Sequence, residues 1–191
     1  ANTGENVITK KDPLVLDLDG DGIELTPDLY FAGNFFDLNG DGFAERTGWV
    51  DGDDGLLAID SNSNGVIDDI TELFGSPDET GFNELAALDS NSDGVIDAND
   101  AEFANLRVWQ DANEDAVTDA GELKTLSELG IVSLDTTPSN TTETQNNGNT
   151  IAAIGSYTKS DNSTSDIGEV LFEHNLYAVS YTHLRAHETH N

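Results

Sequence analysis

The sequence predicts an α+β fold, in which helix–loop–helix segments sit beside short β-hairpins. Three observations point there. Apolar residues recur at helical spacing over 81–88, 98–106 and 120–129. Short apolar runs bounded by Gly, Asp and Asn read as strands at 14–16, 30–36, 48–59 and 131–134, and as a hairpin over 151–158 and 167–172. Between these elements lies one kind of Asp/Asn/Gly-rich loop, repeated along the chain.

Taken in order, residues 1–12 are polar, lack periodicity and read as an upstream linker. Leu14-Val15-Leu16 follows Pro13 and leads into the first Asp-rich loop. The segment 81–88 and the segment 98–106 flank another such loop, and the helix over 120–129 ends at Gly130 as a C-cap does. Residues 136–149 form an Asn/Thr-rich loop. One module is therefore expected over 13–178, with a helix–loop–helix part at about 56–130 and a β-rich part at about 131–173. Residues 179–191 differ in composition and are expected to form a tail outside the fold. The string SYTHLRAHETH resembles translated sequencing-adapter read-through, a natural tail being the alternative, and no function is assigned to it.

The 191 residues carry 38 acidic and 7 basic side chains, a net charge of -31. Such a charge opposes compaction by self-repulsion, so cations that enter the fold should be coupled to folding. There is no basic stripe for a phosphate backbone and no polybasic patch for an anionic membrane. With Cys 0, disulfides and thiolate metal sites are excluded. No stretch approaches the roughly 18 apolar residues of a membrane span. Residues 1–11 hold no signal-peptide-like run, so an export signal is expected elsewhere if the protein is exported.

Four stretches match D-x-[DN]-x-[DN]-G, at Asp17, Asp37, Asp60 and Asp89. At this composition roughly 0.1 matches are expected by chance. The pattern is that of a calcium loop, which offers oxygens from positions 1, 3, 5, 7, 9 and 12 around a turn at position 6. The fourth loop is the most complete: Asp89, Asn91, Asp93, the carbonyl of Val95, Asp97, and Asp100 at position 12. The third offers Asp60, Asn62, Asn64, Val66 and Asp68, with its nearest acid, Glu72, one place late. A fifth starts at Asp111, with Asn113, Asp115, Val117, Asp119 and Glu122. Its position 6 is Ala116, which fits a left-handed turn poorly, at about 1 kcal/mol. These three read as EF-hand-like. The first two offer Asp17, Asp19, Asp21 and Ile23, and Asp37, Asn39, Asp41 and Phe43, but carry Asp28 and Gly48 at position 12. Flanked by strands, they read as calcium-binding β-turns, or as plain Asp/Gly hairpin turns.

Enzyme motifs are few. No nucleophile elbow, zinc helix motif or phosphate-cradling Gly loop is present. A calmodulin-like sensor is disfavoured because its groove relies on Met, and this chain has Met 0.

The run KKDPLVLDLDGDGIELTP at 10–27 resembles the opening of the calcium-dependent self-processing module of Frp-type iron-regulated RTX (repeat-in-toxin) proteins, a haemolysin-type calcium-binding, EF-hand-like family. The similarity continues through FFDLNGDGFAERTGWV, GLLAID, DDITELFG, GFNELAALDSNSDGVIDAND and LRVWQDANEDAVTDAGELKTLSELGI, and fades over 155–172. The resemblance implies calcium-induced autocatalytic cleavage of one Asp-Pro bond through a cyclic anhydride, which water opens or a Lys amine captures as an isopeptide. The matching residues are Asp12 and Pro13. It also implies a secreted, extracellular module within a larger type I secretion substrate, with several Ca2+ ions and a Lys-bearing protein as acceptor. Lys10 and Lys11 read as linker, and Lys124 and Lys159 stay open as acceptors within the chain. The alternative is a non-catalytic calcium-binding structural module of a large adhesin or haemolysin-like protein.

The chemistry is sound for these residues. The Asp12 carboxylate reaches its own backbone carbonyl through a five-membered ring at high effective molarity. Pro13 has no N–H, which closes the competing succinimide route.

Overall fold

A computed structural model describes residues 12–26, 34–76, 78–144, 148–172 and 174–179. β1 (Leu14–Leu16) is fully buried, as an unbroken Leu-Val-Leu run requires of a central strand. It is followed by β2 (Leu25–Thr26), β3 (Asn34–Phe36), β4 (Glu45–Thr47), β5 (Trp49–Val50) and β6 (Gly55–Ala58). After the helix α1 (Gly81–Ala86) come β7 (Val95–Asp97), β8 (Arg107–Trp109), β9 (Leu123–Thr125), β10 (Ile131–Asp135), β11 (Ser139–Thr144), β12 (Thr150–Lys159), β13 (Thr164–Leu171) and β14 (His174–Val179).

One antiparallel sheet dominates, in the order β7-β10-β12-β13-β1-β6-β8-β9, with β11 also on β12. Strands from before and after residue 131 interleave in it. The long β12 lies along β13 and divides its other edge between β10 and β11. Two small sheets, β14-β4-β3 and β2-β5, carry the remaining strands.

The expected α+β, EF-hand-like architecture is therefore wrong: among the described residues the fold is mostly β. The one α-helix is α1, six residues long, with Thr80 as N-cap accepting the N–H of Asn83 at 3.2 Å. The segment expected as a helix over 98–106 is a series of turns with a 3-10 helix at Phe103–Asn105. There Asp100 is turned back to accept the N–H groups of Ser90 and Asp97, which ties the stretch to the preceding loop and leaves it in turns. The segment 120–129 is split by Gly121 at φ 87° and by β9, which pairs with β8. Its C-terminal half is one turn, opened by a reciprocal Thr125–Glu128 box and closed by Gly130 at φ 69°. Residues 139–144, expected as loop, form β11. Of the strand expected over 30–36, 34–36 are β3 and 30–33 lie outside the described residues.

The strands expected at 14–16 and 131–134 and the hairpin β12–β13 are present, while the strand expected over 48–59 is two, β5 and β6, separated by a turn and lying in different sheets. Side chains alternate along them into two cores. Val15, Leu56, Trp109, Ile151 and Val170 face one, together with Phe36, Trp49, Ile67, Ala116 and Phe172. Leu14, Leu16, Leu57, Val108, Tyr157 and Ile167 face the other, which α1 closes with Phe82 and Leu85. Asp12–Pro13 thus feeds into a strand buried between two cores.

Candidate functional site

All five Asp-rich loops share one backbone path. The position-1 carboxylate of Asp17, Asp37, Asp60, Asp89 or Asp111 accepts the N–H of position 6 at 2.7–3.1 Å. Position 4 is left-handed even without glycine: Ser63, Ser92 and Glu114 lie at φ 57°, 59° and 56°. Ala116, at position 6 of the fifth loop, takes the same conformation at φ 58°. Its methyl packs in the Trp109 core, 7% exposed. The burial offsets strain that a solvent-facing Ala would carry.

Each loop is also closed by a second, buried carboxylate. In the fourth loop Asp100 accepts the N–H groups of Ser90 (2.8 Å) and Asp97 (2.9 Å). In the fifth, Glu122 accepts those of Ala112 (3.1 Å) and Asp119 (3.0 Å). In the third, Glu72 does the same for Ser61 (3.1 Å) and Asp68 (2.8 Å), despite sitting one residue late. A 3-10 helix at Ile70–Glu72, capped by Asp69, brings it back.

The first two loops recruit their closing acids from places that position 12 does not reveal. Asp54, in the turn before β6, accepts the N–H groups of Leu18 (3.1 Å) and Glu24 (2.9 Å). Glu45, at position 9 and on β4, accepts that of Leu38 (3.1 Å). Neither residue figures in the sequence-based site. Glu45 could have been found as an acid on the inward side of a short strand; Asp54 had no local signal. Asp28 lies outside the described residues, and Gly48 packs against the side chain of Asn149.

These arrangements concentrate negative charge. Carboxylate oxygens of Asp17, Asp19 and Asp54 lie within 4.8 Å of one another, as do those of Asp37, Asp41 and Glu45. A third such group, Glu24, Asp51 and Asp53, borders the first loop. Burial pushes the carboxyls of Asp54 and Glu45 up to about 7 each. In the first loop, the mutual hydrogen bond between Asp19 and Asp21 pulls Asp19 down and pushes Asp21 up to about 6. In the third and fifth loops, amide groups of Asn62, Asn64 and Asn113 turn onto Asp68 and Asp119 at 2.8–2.9 Å. Converging oxygens with no nitrogen or sulfur ligand fit a hard divalent cation, which would offset the crowding.

The loops are tied into the body. Trp49 Nε1 donates to Asp111 Oδ2 at 2.7 Å, and Trp109 Nε1 to Glu122 at 3.4 Å. The third and fifth loops meet at position 8, where the N–H of Ile67 donates to Thr118 Oγ1 at 3.0 Å. The fourth contains β7, which pairs with β10. Tyr157 Oη donates to the carbonyl of Asp17. The position-7 residues differ in setting: Ile23 is buried, while Phe43 and Val117 are exposed.

Asp12 lies against Gly75 and Gly81, which fall between the third loop and the fourth in sequence. Its carbonyl faces two glycines: a Cβ on Gly75 would stand 2.5 Å from that oxygen, and one on Gly81 2.6 Å. Gly75, at φ 94°, is held by a 2.9 Å bond from its N–H to Glu84 of α1. Pro13 is buried, and its carbonyl accepts the N–H of Val170 at 2.9 Å. Two residues before Leu14, which pairs with Glu169 of β13, Asp12 lies diagonal to Glu169 on the same face, and the two carboxyls act on each other. Glu169, 6% exposed, also accepts the N–H of Phe82 at 3.4 Å. Burial pushes its carboxyl up to about 6, with the Asp12 carboxylate adding to the rise. The sequence named Asp12 and Pro13 but not Glu169, a lone acid in a β-hairpin with no local pattern to mark it.

Residues 14–173 match the SPM domain. The chain is also 50% identical over 168 residues to the iron-regulated protein FrpA of Neisseria meningitidis serogroup C, an alignment covering 84% of this chain. It spans about 15% of that relative's length. Among the described residues no helix is long and apolar enough to cross a membrane. On the match from Leu14 onward, which begins two residues after Asp12, the chain belongs to the SPM domain family.

Proposed function

We propose that the chain is a calcium-folded module that cleaves its own Asp12–Pro13 bond. The observation that carries this reading is the bracket around Asp12. Of the two glycines facing its carbonyl, Gly75 follows closely on Glu72, which closes the third loop. On the other side α1 leads into Asp89 of the fourth. Bound calcium would neutralise the clustered acids and so fix both ends of that bracket. Where loops three and four are ordered, Gly75 and Gly81 press on the scissile carbonyl and Asp12 is held for attack.

The residues around Asp12 support the following reaction. A carboxylate oxygen of Asp12 attacks the Asp12 carbonyl carbon, and the bond to the Pro13 nitrogen breaks as that nitrogen takes a proton. A five-membered anhydride remains at Asp12. Water opens it to two carboxyl groups, or a Lys amine opens it to an isopeptide with loss of a proton. Lys124 lies on β9 and Lys159 at the end of β12, its Nζ 5.8 Å from the Tyr157 ring centre. A Lys-bearing second protein is the acceptor we favour. A Cys-free acidic module folded by calcium belongs outside the cell, where that ion is plentiful.

The non-catalytic reading has one observation in its favour: loops one, two and five are closed by their own buried acids and contact the core opposite α1. Intact mass after addition of millimolar calcium separates the two. Loss of residues 1–12, or a ligated adduct, with Asp12→Ala inert, is the expected outcome. An unchanged mass at saturating calcium leaves only a structural calcium module.

A further inference from the structure

Resting on the self-cleavage reading, we infer that Glu169 is a catalytic residue: it shares one proton with Asp12 and delivers it to the Pro13 nitrogen as the bond breaks. Two carboxyl groups set diagonally on one face of the β1–β13 pairing, one of them buried, cannot both be ionised without a large penalty, so the pair holds one proton between them. That division suits the reaction. One member must be a carboxylate to attack the carbonyl carbon, and the other must be an acid to protonate a departing amine. Asp12 alone closes the five-membered ring, which leaves the acid role to Glu169.

The fold places Glu169 for this task. It stands opposite Leu14 in the β1–β13 pairing, one residue beyond the scissile bond. The Val170 N–H held by the Pro13 carbonyl fixes the two strands at this point. Water is largely excluded, so the proton is not lost to solvent between donor and amine. Around Glu169, the residue before Pro13 presents Asp12, β12 presents the uncharged Ala153, and α1, which also carries Glu84, presents the Phe82 N–H. Glu84 is engaged by the Gly75 N–H. Asp12 is the charged group whose field acts on Glu169.

The steps balance. The Asp12 carboxylate forms a C–O bond, the C–N bond breaks, and the proton on Glu169 moves to the Pro13 nitrogen. Glu169, now a carboxylate, takes a proton from the water that opens the anhydride and is restored.

A purely structural Glu169, capping α1 through Phe82, would show in stability and not in the pH dependence of cleavage. The test is the single-turnover rate of Asp12–Pro13 cleavage from pH 4.5 to 8.5 at saturating calcium, read by intact mass on the full chain. The wild-type rate should peak where the pair carries one proton and fall above about pH 6. Glu169→Gln should be slower by about 100-fold and lose that fall, with unchanged calcium uptake and Trp emission. Because folding raises the Glu169 carboxyl, its stability contribution is present below the unfolded value and lost as pH rises through about 6. Glu169→Gln removes that loss, so the slow variant should be no less stable at pH 8. Cleavage by Glu169→Gln within twofold of wild type, with the same profile, overturns the inference. If the variant fails to fold, the wild-type profile decides, and a flat rate from pH 5 to 8 overturns it. A wild type that does not cleave at all removes both this inference and the reading beneath it.

Discussion

The indole Nε1 of Trp49 donates to Oδ2 of Asp111 at 2.7 Å, joining the aromatic centre of one core to the first residue of the fifth loop. Trp109 stands edge-on to Trp49, their ring centres 5.5 Å apart, and reaches Glu122 at the other end of the same loop. Both indoles would therefore report an ion held in the loop. Calcium should shift the Trp emission, and a chelator should reverse it. Trp49→Phe should remove most of the change and destabilise the fold by about 1–3 kcal/mol, because the buried Asp111 loses a donor. Emission indifferent to calcium would separate the fifth loop from the core.

Asp54 gives a second test. It is fully buried and closes the first loop from a turn distant in sequence, with bonds to the N–H groups of Leu18 and Glu24. Asp54→Ala should lower the calcium stoichiometry by one in native mass spectrometry and cost about 3 kcal/mol, at roughly 1.5 per charge-assisted bond. An unchanged stoichiometry would make Asp54 a strut for the β-turn and not part of the ion site.

The contrast between Asp54 and Asp100 shows what the sequence makes legible. Asp100 closes its loop from position 12, so spacing alone finds it. Asp54 closes an equivalent loop across the sheet, and only the β1–β6 pairing brings the two together. The same division holds for the fold. Leu14–Leu16 reads correctly because a continuous apolar run has one simple explanation. Residues 98–106 have helical apolar spacing, yet Asp100 is turned back onto the N–H groups of Ser90 and Asp97 and holds the stretch to the loop. Likewise Glu169 becomes visible only where β13 pairs with β1.

Ala116 tests how the fifth loop tolerates its missing glycine. Ala116→Gly relieves about 1 kcal/mol of left-handed strain. Against that stand about 0.8 kcal/mol for the lost buried methyl and about 0.4–1 kcal/mol of added unfolded-chain entropy. The opposing terms win narrowly, so the variant should be 0–1 kcal/mol less stable, by about these estimates, in calcium-saturated denaturant unfolding. Stabilisation by more than about 1 kcal/mol would mean that the core does not compensate the strain.

Gly81 offers the sharpest separation of folding from cleavage. A methyl there would stand 2.6 Å from the Asp12 carbonyl oxygen and 2.9 Å from Leu14 Cγ. The carbonyl is backbone and cannot swing aside as a side chain can, so the Asp12 peptide must shift. Alanine at a helix's first residue otherwise favours the helix by up to about 1 kcal/mol, and none of the loop acids is touched. Gly81→Ala should therefore bind calcium as the wild type does and keep its Trp response. Displacement of the reacting carbonyl by about an ångström should slow cleavage by about 100-fold. Gly75→Ala should be worse, since it adds left-handed strain at φ 94° to a 2.5 Å clash with the same oxygen. Parallel calcium titration and intact-mass time courses check both variants. Wild-type cleavage by Gly81→Ala would show that the glycines serve packing alone and do not hold the carbonyl for attack.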